Sequence, residues 1–261
     1  MDQSAPRSLK HEYELYVEQE IENYKDSISR TNLLKIGDEA VASLRDQAQF
    51  AMDELLLWDE VDKIIRKRLR LPSYSTWRKR YLRRLVELEE LRRPERWGFR
   101  SDSVMAREIH PPAESRVLVA GADSGNAALY LAAQGCAVTA VNTHIELVEN
   151  VLNAAEAAHL PGKIDGHPRH LREWLPSEAE LLSAVICTAT AFAGLTSAER
   201  AKVIDVLQSA TSDGGVHLVE TIIAGQSAVS VTELRRNYKG WKVSVVQNGN
   251  SAKSFVARKV A

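Results

Sequence analysis

Five consecutive residues, Gly121-Ala122-Asp123-Ser124-Gly125, separate the apolar run Arg116–Ala120 from the alanine-rich stretch Asn126–Gln134. Glycines at such a junction let the backbone approach a bound molecule, and the helix beyond offers free N–H groups to an anion. Ser124 stands where a helix cap is expected. A second apolar run ends at Asn142, 21 residues past Gly121, where nucleotide-binding βαβ units place a ribose-binding side chain. Other candidates are weaker. His167-Pro168-Arg169-His170 sets two imidazoles three residues apart, but no cysteine or third histidine lies near, and the proline makes it a loop; no metal is assigned. Asp123-Ser124-Gly125 lacks the G-x-S-x-G spacing of a hydrolase nucleophile.

A different chemistry is written upstream. Between Val61 and Arg100, fourteen Lys and Arg face five acids, a local charge of +9 inside a chain whose net charge is −1. Arg78, Lys79, Arg83 and Arg84 are the residues expected to meet phosphates of a nucleic acid or an acidic protein partner, unless the chain's own acidic half takes them. Trp77, Tyr74 and Tyr81 recur at helical spacing, which favours packing over base stacking.

The elements that must position these groups follow from periodicity. Tyr13, Val17, Ile21, Tyr24 and Ile28 recur at three and four, and Ser29–Asn32 interrupts, with Gly37 soon after. A longer seam follows through Val41, Leu44, Ala48, Ala51, Leu55, Trp58, Ile65 and Leu69, ended by Pro72. It must be covered, by an internal hairpin or, as expected, by a second copy in a dimer. A third helix, capped by Ser75 or Thr76, closes at Pro94 and Gly98. Beyond, Arg116–Ala120, Ala137–Val141, Leu182–Cys187 and Val216–Thr221 are short β-branched runs. They alternate with helical stretches Asn126–Gln134, Ile145–His159 and Ser197–Ala210, the pattern of βαβ units on a mostly parallel sheet. Lys242–Gln247 and Ser254–Arg258 flank Asn248-Gly249-Asn250, a hairpin signal. The expected architecture is α/β, a helical module over 1–100 with its basic segment at 61–100, then a Rossmann-like domain over 109–261.

Composition sets the outer limits. With 261 residues, 44% hydrophobic and 26% charged, the chain is neither collagen-like nor predominantly disordered. No stretch has the roughly 20 apolar residues of a membrane span. The N-terminus has no apolar signal core, and Cys136 and Cys187 read as reduced core thiols, so a cytoplasmic location is expected.

The order of motifs in the second half carries a resemblance. Val117–Asn142 reads VLVAGADSGNAALYLAAQGCAVTAVN, Thr211–Thr221 reads TSDGGVHLVET and Glu233–Trp241 reads ELRRNYKGW. Over residues 109–258 this resembles class I S-adenosylmethionine-dependent methyltransferases, in particular the tellurite-resistance (TehB-type) branch, whose pattern is VLDLGCGxGRNALYLAxxGxxVTAVD. The resemblance implies a methyltransferase sheet with a C-terminal antiparallel hairpin, S-adenosylmethionine as cofactor, and a pocket lined by Gly121, Ala122, Asp123, Gly125, Asn142, His170 and Thr188. It also implies an acceptor, a small molecule, above the strand ends near Thr188–Phe192 and Thr221–Ile223.

The departures fall on the charged positions of that pattern. Val119 stands for the acid facing the methionine amino group and Asp123 for the second glycine. Asn142 replaces the ribose-binding acid, His170 the adenine-binding one, and Asn126-Ala127 the family's Arg-Asn pair. Each exchange of a charged for a neutral partner forfeits about 1 kcal/mol. The expectation is a methyltransferase with a degenerate cofactor site and no identifiable catalytic base. Its rival is a non-catalytic methyltransferase-like module whose basic arm binds nucleic acid or protein.

Overall fold

Apolar residues three and four apart build the first part of the chain, and β-branched runs build the second. The computed structural model describes residues 8–45, 54–176, 181–223, 226–227, 229–248 and 252–260. The chain divides into two compact units, Met1–Val86 and Glu87–Ala261.

The first unit is helical: α1 (Leu9–Ser27), α2 (Arg30–Arg45), α3 (Glu54–Leu69) and the larger part of α4 (Tyr74–Arg92). The break after α1 is narrower than Ser29–Asn32, because Ser29 Oγ accepts from Asn32 N (3.4 Å) and the helix restarts at Arg30. The run from Val41 to Leu69 is two helices packed on each other, an internal hairpin; Ala48 and Ala51 lie outside the described residues. The core is Tyr13, Val17 and Ile21 with Ile36, Ala40, Val61, Ile65 and Trp77. Leu55 and Trp58, expected on the seam, are 72% and 47% exposed. They sit in the first turns of α3, before the Val61–Ile65 stripe that is buried, and Lys25 Nζ covers the Trp58 ring at 5.6 Å.

The corner between α3 and α4 is fixed by hydrogen bonds. Leu71 N bonds to Arg66 O (3.4 Å) and Arg70 N to Lys67 O (3.2 Å), the paired closure of a helix C-terminus. Arg70 takes the left-handed position at φ 51°, where glycine is the relaxed residue and any side chain costs about 1 kcal/mol. Tyr13 Oη donates to Pro72 O (2.9 Å) and accepts from Arg66 Nη2 (2.6 Å). The cap of α4 is Ser73, whose Oγ accepts from Thr76 N (3.4 Å), and not Ser75 or Thr76.

In the second unit the strands are β1 (Arg116–Ala120), β2 (Ala137–Val141), β3 (Ile164–His167), β4 (Leu182–Cys187), β5 (Thr211–Glu220), β6 (Lys242–Asn248) and β7 (Ala252–Arg258). They form one sheet in the order β3-β2-β1-β4-β5-β7-β6, and β7 runs antiparallel to both neighbours. Strand β3 is an edge, paired only to β2 and without an apolar run, which is why its sequence reads as loop. Strand β5 begins five residues before Val216; Asp213-Gly214-Gly215 reads as a turn but is a shift in register against β4. The helices are α5 (Val104–Glu108), α6 (Gly125–Ala133), α7 (Ile145–Ala157), α8 (Ser197–Ser209) and α9 (Val231–Asn237). Alternation along β1 feeds two cores: Leu118 packs with Phe192, Ile204, Leu207 and Phe255, while Val117 and Val119 pack with Ala128, Leu131 and Ile186. Both cysteines are buried and free, and burial pushes the Cys187 thiol up to about 12.

One polar chain crosses the first of these cores. His217, fully buried, meets Thr211 Oγ1 through Nε2 and Tyr238 Oη through Nδ1, both at 2.7 Å. Thr211 Oγ1 spends its proton on Leu207 O (2.6 Å), so it must accept from His217 Nε2–H, and Nδ1 accepts from Tyr238. Every polar atom is satisfied only with a neutral imidazole, and burial lowers the His217 pKa to about 3. A depressed histidine gives stability that is whole above its unfolded value near 6.5 and is lost as pH falls toward 3, at up to about 1.4 kcal/mol per pH unit. Urea unfolding at pH 7.5 and 5 should therefore show a larger acid loss for the wild type than for His217→Gln. An identical pH dependence in the two would contradict this assignment.

Candidate functional site

Strand β1 pairs with β2 on one side and β4 on the other, so the strand order reverses between β1 and β4. Open parallel sheets bind ligands outside the carboxyl ends of such a pair. Ala120 is registered opposite Cys187, which brings the next residues, Gly121 and Thr188, side by side at that crevice. Gly121 has φ 112°, and a Cβ there would stand 1.9 Å from Thr188 Oγ1 and 2.7 Å from Thr190 Oγ1. Only glycine satisfies both demands.

The turn is tied down by hydroxyls. Ala122 N–H donates to Thr190 Oγ1 (2.7 Å), Thr190 and Thr188 hydroxyls lie 2.8 Å apart, and Thr188 Oγ1 donates to Ala120 O at 3.4 Å. One direction satisfies the whole chain: amide to Thr190, Thr190 to Thr188, Thr188 to carbonyl. Ser124 does not cap α6; its hydroxyl is drawn back to Gly121 O (2.6 Å). Thr190 falls in the Thr188–Phe192 stretch expected near the acceptor, but its part in tying the turn was not foreseen. The alternation Thr188-Ala189-Thr190 directly after a buried strand was the available signal.

Asn142 and His170 reach the same turn from the neighbouring strands. Asn142 Oδ1 accepts from His144 N (2.9 Å) while Nδ2 donates to Ala122 O (3.4 Å), a bond that a carboxylate cannot make. His170 Nδ1 accepts from Arg172 N (3.3 Å), which leaves Nε2 to donate to Ala193 O (3.1 Å). The acceptor expected for an adenine amine is thus taken by a backbone N–H. His167 has different partners, Asp165 (3.0 Å) and the Trp174 ring (5.2 Å), so the two imidazoles do not act as a pair. The Thr221 hydroxyl donates to Lys253 O (2.9 Å) and Phe192 is buried in the core.

Two cavities flank the turn. One of about 420 Å³ is lined by Ala122, Asp123, Gly125, Asn142, Leu129 and Leu147 among others. The other, about 200 Å³, is bounded by Gly121, Ala122, Asn142, His144, His170 and Thr190 among others. Six of the seven residues read from the sequence therefore meet at one place; Thr188, 5% exposed, lies beneath them. One carboxylate, Asp123, lines the larger of these cavities. Glu220, at the end of β5, is held above the usual carboxylate range by desolvation and then by the charge of Asp123. Among the described residues, neither Asp123 nor Glu220 forms an ion pair.

No protein-family model and no curated protein matches the chain. Among solved structures, TehB from Haemophilus influenzae aligns with a TM-score of 0.50 at 20% identity, covering 62% of this chain and 62% of that one. The N-methyltransferase NodS from Bradyrhizobium japonicum WM9 aligns with a TM-score of 0.47 at 12% identity, covering 57% of this chain and 88% of its own. The chain thus spans less than two thirds of TehB, and the likeness establishes the class I methyltransferase fold that the motif order implies.

The crevice makes a packing prediction. Gly121→Ala should cost about 3 kcal/mol or more, from the clash and the left-handed backbone together. Thr188→Ala alone should cost about 1 kcal/mol. In the double variant the worse clash is gone, with Thr190 Oγ1 at 2.7 Å remaining, and the losses should sum to less than the two singles. Urea unfolding of the four proteins measures this, and strict additivity would refute the contact.

Proposed function

We propose that the chain is an S-adenosylmethionine-dependent methyltransferase, with its cofactor at the crevice between β1 and β4 and a small molecule as acceptor. The observation that carries this reading is the glycine turn at the switch point of a methyltransferase fold, with Asp123 and Asn142 lining the cavity beside it. A carboxylate in that cavity favours a cationic ligand, and this cofactor carries an ammonium and a sulfonium.

The residues present fit the group, by a different charge layout from the family pattern. On the nucleoside side, Gly121 and Ala122 leave the backbone bare. Asn142 Oδ1 keeps a lone pair beyond its bond to His144, enough for one ribose hydroxyl. His170 and His144 wall that pocket rather than read the adenine amine. On the amino-acid side, Val119 is wholly buried and apolar, so Asp123 takes over the ammonium. Gly125 admits the close packing of α6, with Val151 2.9 Å from the site of an added Cβ. When bound, the cofactor supplies an already activated methyl group. The chain's part is to align an acceptor and exclude water. The larger cavity lies within the volume range of small-ligand sites, as a nucleoside cofactor requires.

One set of observations favours the rival, a non-catalytic module: the Ala122 amide, Asn142 and His170 are all engaged within the protein. Calorimetry separates the two. S-adenosylmethionine and S-adenosylhomocysteine should bind in the micromolar range, and Asp123→Asn should weaken both about tenfold, on the order of 1.4 kcal/mol. Methylthioadenosine, which lacks the ammonium, should be unaffected. Silence from all three ligands up to millimolar would leave only the binding module. An equal loss for all three would place Asp123 away from the ammonium.

A further inference from the structure

We infer that the corner joining α3 to α4 is a docking surface for the phosphate backbone of double-stranded nucleic acid. This inference is independent of the methyltransferase reading. The corner gathers Lys67 and Arg70 at the end of α3 with Arg78, Lys79, Arg80 and Arg83 on the first turns of α4. All six are exposed, and among the described residues none forms an ion pair. Nearby cations are used internally: Arg68 pairs with Glu39, Arg66 with the Tyr13 hydroxyl, and Lys63 with Glu60.

The arrangement works against the free protein in two ways. Lys79 and Arg83 are like charges one helical turn apart, which weakens a helix. Arg70 occupies a left-handed backbone position that glycine would fill without strain, so a guanidinium is kept at a cost. An array of phosphates offsets both, because each neutralised contact releases condensed counterions. Hydroxyls of Ser73, Ser75 and Thr76 lie exposed between the charges, and such groups contact phosphate oxygens.

The aromatic residues decide which nucleic acid. Trp77 is buried and stacked on Tyr81 at 4.8 Å, and Tyr74 meets the Tyr13 ring at 5.5 Å. Trp77 and Tyr81 are taken by the unit's own core, and Tyr74, 37% exposed, leans on the Tyr13 and Trp77 rings, so the surface has many cations but no row of stacking platforms. Single strands are held by both together, whereas a duplex presents its phosphates alone. Protein partners are commonly anchored by buried aromatics, which this corner turns inward.

Fluorescence anisotropy of the full chain with a labelled RNA or DNA duplex of roughly 20 base pairs tests this. Binding should weaken with salt at a slope of about −4 to −5 in log–log form, and single-stranded poly(U) should bind less tightly. Arg70→Gly should lower affinity severalfold and reduce the slope by about 1, while its thermal midpoint stays level or rises. Lys79→Glu with Arg83→Glu should abolish binding at about 0.15 M salt. The inference is overturned if neither duplex binds at low salt, or if both variants keep wild-type affinity and slope. Tighter binding of poly(U), or of polyglutamate, would likewise overturn it in favour of a strand-stacking or protein-binding surface.

Discussion

The approach of Gly121 to Thr188 is the constraint on which the candidate site depends. It follows from the register of β1 against β4: once Ala120 lies opposite Cys187, the chain leaving β1 and the chain leaving β4 must pass each other. There is room for one side chain between them. This protein gives that room to the threonine, and the turn is then held by a run of hydroxyls. Asn142 completes the lock because it can donate to Ala122 O as well as accept. The substitutions that set this chain apart from the family pattern therefore have a common physical sense. Two of the carboxylates that would face a ligand are exchanged for Asn142 and His170, which bond to the protein, and negative charge reappears on Asp123.

Much of this was legible in the sequence, for identifiable reasons. Buried parallel strands are apolar runs, and those of β1, β2 and β4 were bounded to the residue. The glycine turn and Asn142 were found because their spacing is imposed by a βαβ unit of fixed size. What was missed depends on contacts between segments distant in sequence. Thr190 matters only through an amide 68 residues away, Glu220 only through Asp123 across β4, and β3 only through β2. Ser124 was expected to cap by its position, and the positive φ of Gly121, which turns its carbonyl toward the serine, decided otherwise. His170 was expected to present a free nitrogen, but a backbone amide two residues on lies within reach of it.

In the helical unit, periodicity identified the helices but not their ends or their partners. The stripe from Val41 to Leu69 satisfies a seam rule that says nothing about whether the covering surface is internal. In the structure α2 packs on α3, while Leu55 and Trp58 stay exposed. Of the aromatic residues at helical spacing, Trp77 is core and packs on Tyr81 and Tyr13, while Tyr74 stays at the surface. The arginines beside them are separated from that core by nothing more than the turn of the helix.

The position of β7 has a consequence for how the sheet is made. It follows β6 in the chain but lies between β5 and β6 in the sheet, so β6 has no neighbour to join until β7 has been synthesised. Until then the free edge of β5, an alternating run of valine, histidine and leucine, is open to any extended segment nearby. A ribosome pausing between the two strands would prolong that exposure. Nascent chains of this protein should be most prone to aggregation, and most dependent on a chaperone, in that interval.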